Sequence, residues 1–310
     1  MTKDDSADNK KVNFVYIDGN YVPSNKASIS VFDHGFLYGD GVFDTICAWN
    51  GYLFRLNDHV HRLFLSAKST RIAIALSEKE MCAAIVETVR RNELTNAYVK
   101  VVATRGVSPE PLLDPSGCRG SVVIFARPFL WFISPEKIER GIRVKVVSTR
   151  RIPPQCLDPK VKSLNYQNSA LAKIEATAAG CDDAIMLDID GYVSEGPTYN
   201  IFAVLGEVLL TPQDNVLHGI TRDAVIKLAK KRGWQTCQTR LTPHDLYTAD
   251  EAFFCSTAGG IIPIVEIDGR TLGSGRPGGM TQKLVRAYFD MLKRGEGGTR
   301  VRGAKRARIR

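Results

Sequence analysis

The 310-residue chain predicts a mixed α/β (α+β) fold in two domains, and three observations carry that reading. Short apolar runs punctuated by Gly, Asn and Asp alternate with longer segments of helical period. A proline-bounded apolar stretch at 127–136 interrupts the pattern near the middle of the chain. Apolar and aromatic residues make up 44% of the sequence, enough for a sizeable core.

Residues 14–22 (FVYIDGNYV) set two apolar runs around Asp18-Gly19-Asn20, a hairpin signal. Residues 42–54 repeat it around Asn50-Gly51, a pair that tolerates positive φ in a tight turn. A helix is expected from a cap at Asn57, because Val60, Leu63, Phe64 and Ala67 then share one face. A second helix covers about 78–93, and β-rich runs follow at 97–104 and 121–126. Phe129, Leu130, Trp131 and Phe132 are too apolar for a free linker, so part of this stretch should pack against the site or a partner subunit.

The second half opens with a strand at 142–149 and a helix at about 166–179. In that helix Ala170, Ile174 and Ala178 recur four apart, and Gly180 ends it. Short strands fill 183–211 around Asp190-Gly191. A helix at 221–232, a strand at 251–255 and a final helix at 279–293 complete the order. The expected division is a small α+β domain at 13–127, an interdomain loop at 128–136 and a larger domain at 137–293, with disordered tails at 1–12 and 294–310.

Charge is unevenly placed. Of the formal +9, the segment 292–310 carries +7, leaving the body near neutral. A nucleic-acid-binding body is therefore not indicated, and a polyanion-binding role is confined to the tail. Seven scattered cysteines without a CxxC pair predict free thiols rather than a disulfide frame or a metal site. The N-terminus (MTKDDSADNKK) is acidic and polar, unlike a secretory signal, and the most apolar run, 121–133, is too short to span a bilayer. A soluble cytoplasmic protein is expected.

Three features carry chemistry. Lys162 lies just before a helix between Val161 and Leu164; Glu195 precedes the strand-breaking Gly196-Pro197; and Gly219-Ile220-Thr221-Arg222 opens a helix. An amine, a held carboxylate and a glycine turn at a helix N-terminus are what pyridoxal phosphate requires. A second small-residue turn, Ser256-Thr257-Ala258-Gly259-Gly260, follows an apolar strand and could admit an anion to its amides. Arg62, which interrupts the apolar stripe of its helix, is the best cation for a phosphate. Each has a bland alternative: a surface lysine, a turn-capping acid, an ordinary Thr221 cap, a flexible loop, a surface arginine.

The segments YIDGNYVP, FDHGFLYGDGVFD, FRLNDHVHRL, VKSLNYQNSALAK, SEGPTYNIF, TPQDNVLHGITRD and STAGGIIPIVEIDG, in this order, resemble the class IV pyridoxal-phosphate aminotransferases. That family contains the branched-chain and D-alanine aminotransferases, the (R)-amine transaminases and aminodeoxychorismate lyase. The likeness runs from about Tyr16 to Leu292. It implies the two-domain fold type IV, a cofactor held between the domains, and a homodimer or higher homo-oligomer. Lys162 resembles the lysine that binds the cofactor and serves as general base, and Glu195 the partner of the pyridine nitrogen. Arg62, Ile220, Thr221, Ser256 and Thr257 match the phosphate cup, and Tyr166 the phenol beside the cofactor 3′-oxygen. Tyr38, Phe43, Tyr98 and Lys100 match substrate-pocket positions, as do Thr257 and Ala258, whose amides would receive a carboxylate.

The departures bear on substrate. Lys100 stands where the branched-chain enzymes usually carry arginine, and Gly260 replaces an acid common after the Thr-Ala turn. Asp44 replaces a usual glutamate and, with Trp49-Asn50-Gly51, is similar to the (R)-amine transaminases. Residues 106–112 lack the Arg-x-His of D-alanine aminotransferase. The expected activity is a branched-chain-type transamination between an amino acid and a 2-oxo acid. An (R)-amine or D-amino acid transaminase is the alternative, and no metal is expected.

Overall fold

The computed structural model describes residues 13–110 and 112–301. The first half runs β1 (Phe14–Ile17), β2 (Asn20–Pro23), α1 (His34–Tyr38), β3 (Gly41–Trp49), β4 (Tyr52–Phe54), α2 (Leu56–Ser69), α3 (Glu78–Arg91), β5 (Ala97–Val107) and β6 (Arg119–Pro128). Both expected hairpins form. Trp49 pairs with Tyr52 across Asn50 (φ 51°) and Gly51 (φ 80°), the two left-handed residues of a tight turn.

The expected cap at Asn57 is displaced. α2 starts at Leu56 after Arg55, whose φ is 46° and which offers no side-chain cap. Its guanidinium instead ties Asp58 to Asp223 and the Ile220 carbonyl, so contacts with a distant helix fix where α2 begins. By contrast α3 carries a full capping box, Ser77 with Glu80.

The second half runs α4 (Pro135–Arg140), β7 (Ile142–Val146), α5 (Gln167–Ala178), β8 (Asp183–Ile185), β9 (Asn200–Leu205), β10 (Val208–Pro212), α6 (Ile220–Lys231), β11 (Gln235–Thr239), α7 (Pro243–Tyr247), β12 (Glu251–Ser256), β13 (Gly260–Ile267), β14 (Arg270–Thr271), α8 (Gly279–Arg294) and β15 (Gly298–Arg300). Two sheets result, ordered β15-β4-β3-β5-β6-β1-β2 and β11-β10-β9-β12-β13-β7-β8. One core lies under α2 and α3 around Leu53, Leu63, Ile85 and Val99. Another, around Phe202, Phe253 and Tyr288, lies under α6 and α8.

The expected disordered tail at 294–310 is corrected over its first part. β15 pairs antiparallel with β4, and Val301 is buried in the core of the first sheet, because β4 is an edge strand with free backbone groups to satisfy. Residues 302–310 and the expected tail at 1–12 lie outside the described residues. Part of the apolar stretch after β6, Phe129 and Trp131, packs between the two halves of the chain rather than on the site. Trp49, Phe129, Trp131 and Phe289 form edge-on and tilted ring pairs at 5.1–6.0 Å. All seven cysteines are free thiols. Among the described residues no helix is long and apolar enough to cross a membrane.

Candidate active site

Strand alternation decides which residues reach the central cavity, a space of about 310 Å³. On β3, Phe43 and Thr45 line it, whereas Asp44 turns to the face covered by α2. On β5, Tyr98 and Lys100 line it, while Val99 and Val101 enter the core. The opposite wall comes from the second sheet and its connections: Glu195, Tyr199, Ile220, Thr221, Ser256, Thr257 and Ala258.

Lys162 belongs to an extended segment laid beside β3. Its carbonyl accepts from the Phe43 amide at 2.9 Å, and its own amide donates to Ser66 Oγ at 3.2 Å. Lys162 Nζ donates to the Tyr166 phenol at 3.2 Å and stands 4.6 Å from the centre of the Phe43 ring. Lys100 Nζ stands 4.3 Å from the same ring and makes no ion pair among the described residues. Burial, and next the charge of Lys162, hold the Lys100 ammonium below its usual pKa. Two amines thus flank one aromatic ring.

At the far wall Glu195 is buried and carries three donors. Arg151 Nε donates to Oε1 at 3.1 Å, the Leu217 amide to Oε2 at 3.0 Å, and Asn200 Nδ2 to Oε2 at 3.2 Å. Burial pushes its carboxyl above the usual range, and the Arg151 charge, the Leu217 amide and the Lys162 charge only partly oppose that. The turn-capping alternative is set aside, since the carboxylate is an acceptor inside the cavity wall. Arg151 escaped the sequence reading because Arg150-Arg151 is a doublet; only the fold shows that Arg150 is exposed and Arg151 turns inward.

At the third corner α6 begins at Ile220 after Gly219, so Thr221 is not the cap. Its buried hydroxyl makes no hydrogen bond among the described residues. A Cβ on Gly219 would fall 2.0 Å from Asn200 Oδ1, which explains why only glycine fits this approach. Arg62 reaches the same corner, but not as the free cation expected. Its Nε and Nη2 form a two-pronged pair with Asp44 at 2.8 Å each, leaving Nη1 to donate to the His218 carbonyl at 3.2 Å. His59 Nδ1 lies 2.7 Å from Asp44 Oδ1. Burial outweighs Asp44 in keeping this imidazole below its usual pKa, so a neutral ring donates from Nδ1 and leaves Nε2 without a partner among the described residues. Burial would raise Asp44 itself, but Arg62 foremost and then His59 hold it well below the ordinary carboxylate range.

Of the expected substrate positions, the structure brings Phe43, Tyr98, Lys100, Thr257 and Ala258 together and leaves Tyr38 apart. α1 is capped by Asp33 and anchored by buried His34, and the Tyr38 ring packs edge-on against that imidazole at 5.0 Å. Asp44, read as a substrate discriminator, is also outside the lining. Phe132 lines the cavity, as expected of part of its apolar stretch, and Tyr199 adds apolar wall that the sequence did not point to.

The three corners fit a phosphorylated pyridine aldehyde. An orphaned Thr221 hydroxyl, a helix N-terminus and Arg62 suit a dianion. An under-compensated Glu195 suits a cationic ring nitrogen, and Lys162 supplies an amine between them.

Comparison with known proteins gives the same direction. Residues 41–267 match the family model described as amino-transferase class IV. A branched-chain-amino-acid aminotransferase of Pseudomonas aeruginosa is 38% identical over 284 residues, covering 90% of this chain and 92% of its own. The structure superposes on a branched-chain aminotransferase from the archaeon Thermoproteus uzoniensis, solved with norvaline, with a TM-score of 0.88 and 39% identity over 94% of this chain and 99% of that one. It also matches a branched-chain amino acid aminotransferase of T.th. complexed with N-(5'-phosphopyridoxyl)-L-glutamate, with a TM-score of 0.87 and 35% identity over 94% and 99%.

Proposed function

The chain belongs to the class IV amino-transferase family, and on that premise we propose that it is a pyridoxal 5'-phosphate-dependent transaminase acting between branched-chain-type amino acids and a 2-oxo acid. The observation that carries this reading is that one cavity joins Lys162, Glu195 and the α6 N-terminus, walled by Phe43, Tyr98, Phe132 and Tyr199. When bound, the cofactor supplies an electron-accepting ring that stabilises negative charge at the substrate Cα.

The residues then divide the work. Lys162 Nζ would hold the cofactor, and as a free amine it would serve as the base for the proton at the substrate Cα. Tyr166, within hydrogen-bond reach of that amine, orients it. Glu195 meets the ring nitrogen; Arg62, Ile220, Thr221, Ser256 and Thr257 receive the phosphate. The aromatic wall takes an apolar side chain and excludes water, and Lys100 with the Thr257-Ala258 turn takes a carboxylate. Asp44 does not touch the cavity and acts on it only through Arg62.

We further assign a small domain at 13–127, completed by β15 and Val301 from the end of the described chain, a connection at 128–136 and a larger domain at 137–293; the division is supported by the two sheets. A cytoplasmic homodimer completes the proposal. The homodimer is supported by the exposed apolar side chains Ile29, Val31, Phe32, Phe36 and Leu37, residues of the kind that a second subunit covers.

Two measurements test the assignment. Borohydride reduction and peptide mapping should place the cofactor on Lys162, and Lys162→Ala should lower turnover at least about 10³-fold. L-leucine with 2-oxoglutarate should outpace D-alanine and (R)-1-phenylethylamine. A label on another lysine, or (R)-1-phenylethylamine as the fastest donor, overturns it.

A further inference from the structure

Glu195 is the buried acid of the cavity wall, and its surroundings show how it is held. Arg151 is fixed at three points before its side chain is considered. Its amide donates to the Leu187 carbonyl at 2.8 Å. Asn168 of α5 brackets it, donating to the Arg150 carbonyl at 2.8 Å and accepting from the Ile152 amide at 3.4 Å. The guanidinium is 17% exposed and reaches Glu195 Oε1 through Nε alone.

The other carboxylate oxygen is tied to the opposite end of the site. Asn200 Nδ2 donates both to Glu195 Oε2 and, at 2.9 Å, to the Leu217 carbonyl, while the Leu217 amide donates back to Oε2. Leu217 lies two residues before Gly219, where any side chain would collide with Asn200 Oδ1. One asparagine therefore joins the carboxylate to the turn that opens α6.

We propose that Arg151 is a positioning residue that keeps Glu195 ionised and aimed at the cofactor ring, and that Asn200 makes this corner and the phosphate turn a single preformed unit. This rests on the transaminase reading above. Arg151 acts through Glu195 and touches no reacting atom. Through Nε the arginine takes one acceptor site on Oε1, while Oε2 already accepts from Leu217 and Asn200, so Oε1 keeps a lone pair for the ligand.

The test uses the full-length chain. Pyridoxal 5'-phosphate affinity is measured by fluorescence for the wild type, Arg151→Gln, Arg151→Lys, Glu195→Gln and the double variant Arg151→Gln/Glu195→Gln. Calorimetry in two buffers of different ionisation enthalpy reports proton exchange on binding. Arg151→Gln should weaken affinity about tenfold, the size of one lost hydrogen bond to a charged group, and bind with added proton release. Arg151→Lys should recover part of the affinity, and in the Glu195→Gln background the Arg151 change should have little further effect. Equal losses in both backgrounds, or an Arg151→Gln affinity within about twofold of wild type, overturn the proposal. If Arg151→Gln does not fold, carbon-13 titration of Glu195 in the cofactor-free wild type decides: a carboxyl protonated at neutral pH refutes it. That titration also separates the two readings, since failure of the wild type to bind cofactor would end the functional assignment and leave the Arg151–Glu195 pairing still measurable.

Discussion

Asp44 and Glu195 are both buried carboxylates facing an arginine, at 1% and 6% exposure, yet their environments push them in opposite directions. Asp44 receives two charge-assisted bonds from Arg62 and a third from His59, and these exceed the cost of removing it from water. Glu195 receives one arginine bond and two amide bonds, and the cost of burial prevails. Sequence and burial alone would class the two together. What separates them is whether the protein completes the carboxylate or leaves room for a ligand to do so. Asp44 is finished and structural; Glu195 is held short of completion.

Substitution should break this contrast most sharply. Glu195→Gln should lower kcat by about 10²–10³-fold, the range of a lost preorganised electrostatic contact, with a urea midpoint equal to or above wild type. Asp44→Asn should do the reverse. It strands Arg62 and should cost roughly 3–5 kcal/mol of stability in urea unfolding, with activity lost mainly through weaker cofactor binding. If both variants lose stability alike, the distinction between them is wrong.

Titration sharpens it further, because the signs differ. A carboxylate whose folded pKa is lowered, as at Asp44, stabilises above its unfolded value near about pH 4 and loses that contribution as pH falls. Glu195, raised on folding, favours the folded state below its unfolded value and loses that contribution as pH rises through the raised pKa. Relative to wild type, Asp44→Asn should therefore show the flatter acid limb in stability-versus-pH measurements. Glu195→Gln should gain as pH increases from about 4 towards neutrality.

A smaller effect belongs to Lys100. Burial and Lys162 lower its pKa, so KM for a carboxylate-bearing acceptor should rise at alkaline pH, before an ordinary lysine would titrate. Lys100→Arg should flatten that rise severalfold, since guanidinium stays charged. Identical KM profiles for the two proteins would remove Lys100 from carboxylate recognition.

Much of this is legible in the sequence, for reasons that can be named. Asn50-Gly51 announces its turn because few residues accept two successive positive φ values. Lys162, Glu195 and the Gly219 turn are spaced so that their chemistry is informative only as a set. Strand period is sufficient to place Asp44 on the face opposite Phe43 and Thr45, away from the cavity. Other features cannot be read from local pattern. The left-handed Arg55 is set by Asp223, 168 residues away in sequence, and Arg151 differs from Arg150 only in which way the folded chain turns it.

β15 has a consequence for how the chain is made. The sheet assembled from residues 14–128 lacks its outermost strand until residues 298–300 are available to join Tyr52–Phe54. During synthesis that edge stays open while the whole intervening half is made, and it closes only once residues 298–300 are available. Such a late, distant closure favours slow completion and gives holdase chaperones a defined strand to protect in the meantime.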